Sequence, residues 1–127
     1  MRKLIFVAFM GITLLNKSAV AQKVYDFVSV QVQPSYPGGI AKFYEYIHKN
    51  IKYPPQAKKD IVKGKVFASF IVETDGKLTD VRIVRGLTKE TDEEAKRVLM
   101  NSPKWNPAML EGKPVRVRYN INVNFQP

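Results

Sequence analysis

Residues 115–125 read Val115-Arg116-Val117-Arg118-Tyr119-Asn120-Ile121-Asn122-Val123-Asn124-Phe125, an unbroken alternation of apolar and polar side chains. Successive side chains of a strand point to opposite faces. Val115, Val117, Tyr119, Ile121, Val123 and Phe125 therefore share one face, and Arg116, Arg118, Asn120, Asn122 and Asn124 share the other. A helix would scatter both sets around its axis. The stretch predicts a long antiparallel strand with one dry and one wet face.

Working outward, Gly64 to Glu73 puts Val66, Ala68, Phe70 and Val72 on one face and Phe67, Ser69 and Ile71 on the other. Thr74-Asp75-Gly76-Lys77 is a hairpin signal, because Asp-Gly supplies the positive φ angles that a tight connection needs. The returning strand runs from Leu78 to Arg85, and the phase slip between Leu78 and Val81 predicts a bulge near Asp80. Thr91 to Asn101 is expected to be a helix, with Thr91 and Glu94 as a capping box and Ala95, Val98 and Leu99 as its apolar stripe. Pro103 stops it. Trp105, between Pro103 and Pro107, reads as a rigid apolar plug against the sheet; the sharper alternative is a tryptophan that stacks on a ligand.

Toward the start, Ile40, Phe43, Ile47 and Ile51 fall on one helical face after the Pro37-Gly38-Gly39 turn. Tyr53-Pro54-Pro55 ends that helix, and Pro55 to Asp60 can form a second short one. Residues 22–36 form an extended arm in which Val24, Val28, Val30 and Val32 alternate like a short strand. Met1-Arg2-Lys3, the apolar run Leu4 to Leu15 and Ala19-Val20-Ala21 have the layout of a secretory signal peptide, residues 1–21, with cleavage expected before Gln22. An apolar run of that length rises about 18 Å as a helix, too little to span a bilayer comfortably. Residues 37–127 are then one α+β domain.

Composition excludes much. The chain of 127 residues has 21 Lys+Arg against 11 Asp+Glu, a net charge of +10, with no cysteine and a single histidine. Without Arg2, Lys3 and Lys17 it keeps +7. Disulfides, thiolate catalysis, cysteine-held zinc and iron–sulfur clusters are out. His48 has Glu45 and Lys52 as helix neighbours but no nucleophile to serve, and adjacent Glu93 and Glu94 diverge around their helix. No phosphate loop or metal-ligand spacing occurs. No cofactor and no enzymatic activity are expected. The basic residues are scattered along the chain, so nucleic acid is not an expected partner; Arg82, Arg85, Arg116 and Arg118 could form a basic patch suited to an anionic cell-wall polymer.

A three-stranded open sheet leaves two edges of unpaired N–H and C=O groups. The last strand has no proline between Val115 and Phe125 to block its edge. A partner peptide could add there as an extra strand. The N-terminal arm, residues 24–32, or a second copy of the chain would fill the same place, and the pattern leaves all three open.

Several signatures then fall in one order: Pro37-Gly38-Gly39, Tyr53-Pro54, the Gly64-led strand, Asp75-Gly76, Pro103-x-Trp105-x-Pro107, and Gly112-Lys113-Pro114-Val115 leading into the strand that ends Val123-Asn124-Phe125. This ordered set resembles the TonB C-terminal domain family over roughly Pro37 to Phe125. The resemblance implies a three-stranded antiparallel sheet packed on two helices, a TonB C-terminal or TolA-like arrangement, with room for an extra N-terminal strand. It implies a periplasmic, cell-envelope location and association with TonB-dependent transmembrane transport, where the domain serves an energy transducer. The expected partner is an outer-membrane transporter or another envelope protein, whose TonB-box segment adds beside the last strand. Carried over, the partner-binding residues are Asn50, Ile51, Lys52, Tyr53 and Pro54 with Val115, Arg116, Val117, Arg118, Tyr119, Asn120, Ile121, Asn122 and Val123.

Full transducers in the family carry an anchor helix with a histidine and a long Pro-rich spacer. Here the histidine lies inside the domain, and Gln22 to Ser35 is too short to cross the periplasm. A binding module working beside a tethered component is the expectation. The alternatives are a self-associating homodimer and an envelope protein that binds peptidoglycan.

Overall fold

The computed structural model describes residues 23–126; the expected signal peptide lies outside the described residues. Its elements run β1 (Val24–Tyr25), a 3₁₀ turn (Phe27–Ser29), α1 (Ile40–Asn50), α2 (Pro55–Lys59), β2 (Gly64–Val72), β3 (Leu78–Arg85), α3 (Lys89–Met100), β4 (Ala108–Leu110) and β5 (Lys113–Phe125). The alternating stretch is the long strand expected of it. β5 runs antiparallel to β2 from Gly64↔Phe125 to Val72↔Val117, and β2 runs antiparallel to β3. These three strands are the anticipated antiparallel core. Two short strands join them. β1 lies parallel to β5, giving the order β1-β5-β2-β3, and β4 pairs with the start of β5.

The dry face of the sheet meets α1 and α3. Phe43 and Ile47 of α1, Ala95, Val98 and Leu99 of α3, and Val66, Ala68, Phe70, Val72, Ile121, Val123 and Phe125 of the sheet are buried together. Each large apolar side chain so enclosed contributes about 1.5–3 kcal/mol relative to exposure.

Trp105 is the keystone of this layer, and the plug reading of its segment holds. It is 3% exposed. The rings of Phe43, Tyr119, Phe70 and Tyr36 stand edge-on around it at centroid distances of 4.8, 5.2, 5.5 and 5.9 Å. Its indole N–H donates to Ser102 Oγ at 3.3 Å, and its backbone N–H donates to Gly76 O at 2.9 Å. Gly76 has φ +89°, and a Cβ there would lie 2.0 Å from the carbonyl oxygen of Trp105. The β2–β3 hairpin tip therefore requires glycine twice, for its turn and for the approach of the tryptophan backbone.

The expected bulge is present. Between the pairs Ser69↔Arg82 and Ile71↔Thr79, β3 carries one extra residue, and Asp80 there has φ +46°. A second bulge, between Phe67↔Arg85 and Ala68↔Ile83, pushes Val84 outward to 67% exposure.

Two expectations need correction. Helix α3 begins at Lys89, capped by Thr88 rather than Thr91. Thr91 N–H donates to Thr88 Oγ1 at 3.1 Å and Thr88 N–H to Thr91 Oγ1 at 3.0 Å, so a threonine takes the role expected of Glu94. The arm is a strand only at Val24–Tyr25, and its valine alternation beyond that buries nothing: Val28 is 84% exposed. Its later part instead forms two isolated bridges, Val32 to Met109 of β4 and Ser35 to Asn106 just before that strand. The α+β core is as expected, with α2 the second short helix anticipated from Pro55 and β1 the extra N-terminal strand; β4 is the one short strand that was not anticipated.

Candidate partner-binding site

The inner flank of β5 is committed to β2 from Val117 to Phe125. Its other connections divide the strand. Lys113, Pro114 and Val115 pair with β4. Arg116 and Val117 pair with Val24 and Tyr25 of β1. The Phe27 ring then stands edge-on to Tyr119 at 5.2 Å. From Asn120 to Phe125 no strand lies on the outer flank among the described residues. In an antiparallel strand, residues outside the hydrogen-bonded pairs turn both N–H and C=O away from the partner. Alternate residues of 120–125 thus present a row of backbone donors and acceptors.

At the end of that row lies a groove of about 190 Å³ lined by His48, Ile51, Tyr53, Asn124, Phe125 and Gln126. Chain chemistry positions it. Helix α1 ends at Asn50 because the Tyr53-Pro54-Pro55 run cannot continue it. The segment after it is then clamped by α3: Lys52 N–H donates to Glu94 Oε2 at 2.6 Å, and Arg97 Nη2 donates to Asn50 O at 2.9 Å and to Glu94 Oε2 at 2.7 Å. The Arg97 guanidinium, helped by the Lys52 amide, holds the Glu94 carboxyl below the ordinary carboxylate range. The Tyr53 ring faces the Phe125 ring at 6.3 Å. A wider cleft of about 480 Å³ opens on the far side of the tyrosine–proline pair, between Lys52–Pro55 and the α3 residues Glu90, Glu93, Glu94 and Arg97.

The wet face of the sheet is less basic than its sequence suggests. Arg116 Nε lies 2.6 Å from Glu73 Oε1, and Thr79 Oγ1 donates to the same carboxylate. Arg118 donates to Ser69 Oγ at 2.9 Å and pairs with the Asp80 carboxylate, which also takes Arg82 Nη2 at 2.8 Å. The Arg116 guanidinium is the main cause of a Glu73 carboxyl held below its ordinary range; Arg82 first and Arg118 second do the same for Asp80. Of the four arginines expected to form a patch, three spend their charge on these two acids. The Asp80 bulge is what turns its carboxylate toward two strands at once.

The sequence-derived residues therefore fall into three groups. Asn50, Ile51, Lys52, Tyr53 and Pro54 sit together beside the end of β5. Asn120, Ile121, Asn122 and Val123 lie on the open flank, where Ile121 and Val123 turn their side chains into the core and offer backbone only. Val115, Arg116, Val117, Arg118 and Tyr119 lie where β4, β1, the Phe27 ring or ion pairs already engage the strand. Asn124 and Phe125, the end of the edge expected from Val115 to Phe125, also line the groove, and His48 and Gln126 join it without having been anticipated. Among the described residues, no group of acids or histidine is arranged to hold a metal ion, and no helix is long and apolar enough to cross a membrane.

Residues 49–127 match the family described as the Gram-negative bacterial TonB protein C-terminal. No curated protein matches the chain. Among solved structures, the solution structure of the Pseudomonas aeruginosa TonB C-terminal domain superposes with a TM-score of 0.50 at 20% identity, over 61% of this chain and 78% of that one. A shorter and a longer fragment of the Helicobacter pylori TonB C-terminal domain give 0.51 and 0.52 at 24% and 22% identity. They cover 68% and 69% of this chain, and 91% and 79% of their own. At these identities the likeness speaks for the fold.

Proposed function

Since the chain belongs to the Gram-negative bacterial TonB C-terminal family, whose members are non-catalytic protein-interaction domains of TonB-dependent transport that meet outer-membrane transporters, we propose that it is a periplasmic module that binds an extended segment of such a transporter by strand addition. One observation carries this reading: the only stretch of β5 with an unused flank among the described residues, Asn120 to Phe125, ends in the groove made by the segment before the tyrosine–proline pair. Backbone hydrogen bonds along the flank supply affinity with little demand on sequence, and the groove selects a side chain. Secretion through residues 1–21 belongs to the proposal, and the reading assigns no catalytic step to any residue.

The test is an amide-resolved NMR titration with peptides from the N-terminal segments of outer-membrane transporters. Shifts at Asn50 to Pro54 and Asn120 to Phe125 are expected; shifts confined to other residues sink the reading. Tyr53→Ala, which removes the groove wall facing Phe125, is expected to weaken the peptide by about tenfold. A mature N terminus at Gln22, read by mass spectrometry, checks the location. The same open flank also admits a second copy of the chain, and a strict monomer in sedimentation at micromolar concentration discards that alternative.

A further inference from the structure

The outer flank of β5 is longer than its free part, and the difference is occupied by the chain's own arm. Val24 and Tyr25 lie parallel to Arg116 and Val117, followed by the Phe27 ring against Tyr119. The hold is slight. Pairing extends over two residues, the 3₁₀ turn buries none of its side chains, and Val24 and Val28 are both exposed. The arm is fastened firmly only further on, where Val32 N–H and Gln31 N–H both donate to Met109 O at 3.1 Å and Met109 N–H donates to Val32 O at 2.9 Å. Residues 23–29 can therefore lift away while Gln31 and Val32 stay on Met109 and Ser35 stays on Asn106.

We propose that residues 23–29 are a built-in competitor for the docking edge, displaced by a partner whose extended segment runs past Asn120 to Val117. This rests on the strand-addition reading and adds a length rule to it. A partner segment that spans only Asn120 to Phe125 leaves the arm in place. One that spans Val117 to Phe125 must replace the β1 pairing and the Phe27–Tyr119 contact with its own. Tethered a few residues away, the arm acts at an effective concentration on the order of millimolar. A long partner's apparent affinity is lowered by the fraction of molecules in which the arm is off. Such a partner is an extended polypeptide without proline in its pairing stretch, carrying an apolar side chain where Phe27 now meets Tyr119.

The probe is a synthetic peptide with the sequence of residues 22–31, added to the whole chain and followed by anisotropy and by amide shifts of Val117 to Tyr119. Alternate residues of a paired strand face the neighbour, so one of Val24 and Tyr25 donates to β5, and Val24→Pro with Tyr25→Pro removes that bond whichever it is. The double variant is expected to bind the peptide at least about tenfold more tightly than the unaltered chain, with Phe27→Ala in between. Equal affinity for all three, or no binding to a double variant whose melting midpoint is unchanged, overturns the proposal. Hydrogen exchange on the unaltered chain decides independently of folding. The slower of the Val24 and Tyr25 amides, the one that donates to β5, is expected to exchange about a hundredfold faster than the β2 amides, by local opening; exchange at the β2 rate overturns it. The peptide is the chain's own, so failure here is distinct from failure of transporter peptides to shift Asn120 to Phe125.

Discussion

The two halves of β5 share one alternation and have different lives. From Lys113 to Tyr119 the strand is engaged piece by piece: β4 pairs with its start, β1 with Arg116 and Val117, the Phe27 ring stands against Tyr119, and Arg116 and Arg118 reach to Glu73 and Asp80. From Asn120 to Phe125 its polar face carries neutral amides, its outer flank is unpaired among the described residues, and a groove opens at its end. Ile121, Val123 and Phe125 are all buried, whereas Val117 is the one fully buried apolar side chain of the first half, so the open half is the better anchored in the core. The halves differ further in backbone partnership and charge. A strand can be fixed by its inner face and one flank while the other flank is kept for a partner.

The most severe way to break the comparison is to remove what both halves lean on. Trp105→Ala empties a site walled by the side chains or backbone of six residues and is expected to cost about 3–5 kcal/mol in denaturant unfolding; a loss below about 1 kcal/mol would mean the plug is not structural. Gly76→Ala forces a Cβ onto the Trp105 carbonyl at a positive φ and is expected to cost about 3 kcal/mol in the same measurement. Hydrogen exchange sharpens the contrast without a mutation. The outward amides of the 120–125 stretch are expected to exchange about a hundredfold faster than those of the alternate residues, which face β2; uniform protection would show the flank to be covered.

The smallest effect belongs to the held half. Glu73 has a carboxyl lowered by Arg116, so its contribution is complete at neutral pH. That contribution fades as the pH falls below the ordinary value of 4.5 and through the lower folded value. Glu73→Gln is expected to lose about 1 kcal/mol at pH 7 and progressively less than that in acid. A deficit that stays constant from pH 7 to pH 3 would locate the effect in shape rather than charge.

Much of this was legible in the chain, for physical reasons. Strict alternation over residues 115–125 has one reading, Asp75-Gly76 has one turn chemistry, and the Leu78–Val81 slip can be accommodated only by a bulge. What escaped was set by partners distant in sequence. The apparent basic patch dissolves because Glu73 at a hairpin meets Arg116, 43 residues away, and Asp80 on a bulge meets Arg118, 38 residues away, as well as nearby Arg82. β4 is three residues long, too short for any period to show. The division of β5 depends on which strand lies on which flank, and side-chain alternation reports faces, not flanks. The Thr88 cap was missed because a threonine at the third helical position imitates the glutamate of a capping box.

The two bulges of β3 have a consequence for how far assembly can go. β3 is the other rim of the sheet among the described residues, and extra residues at Asp80 and Val84 break its spacing twice within eight residues while Arg85 puts a cation at its end. Growth of an endless cross-β stack needs a receptive border on both sides of every subunit. This molecule offers one, so whatever joins it terminates the ribbon, and a sticky rim can persist at high concentration without seeding fibres.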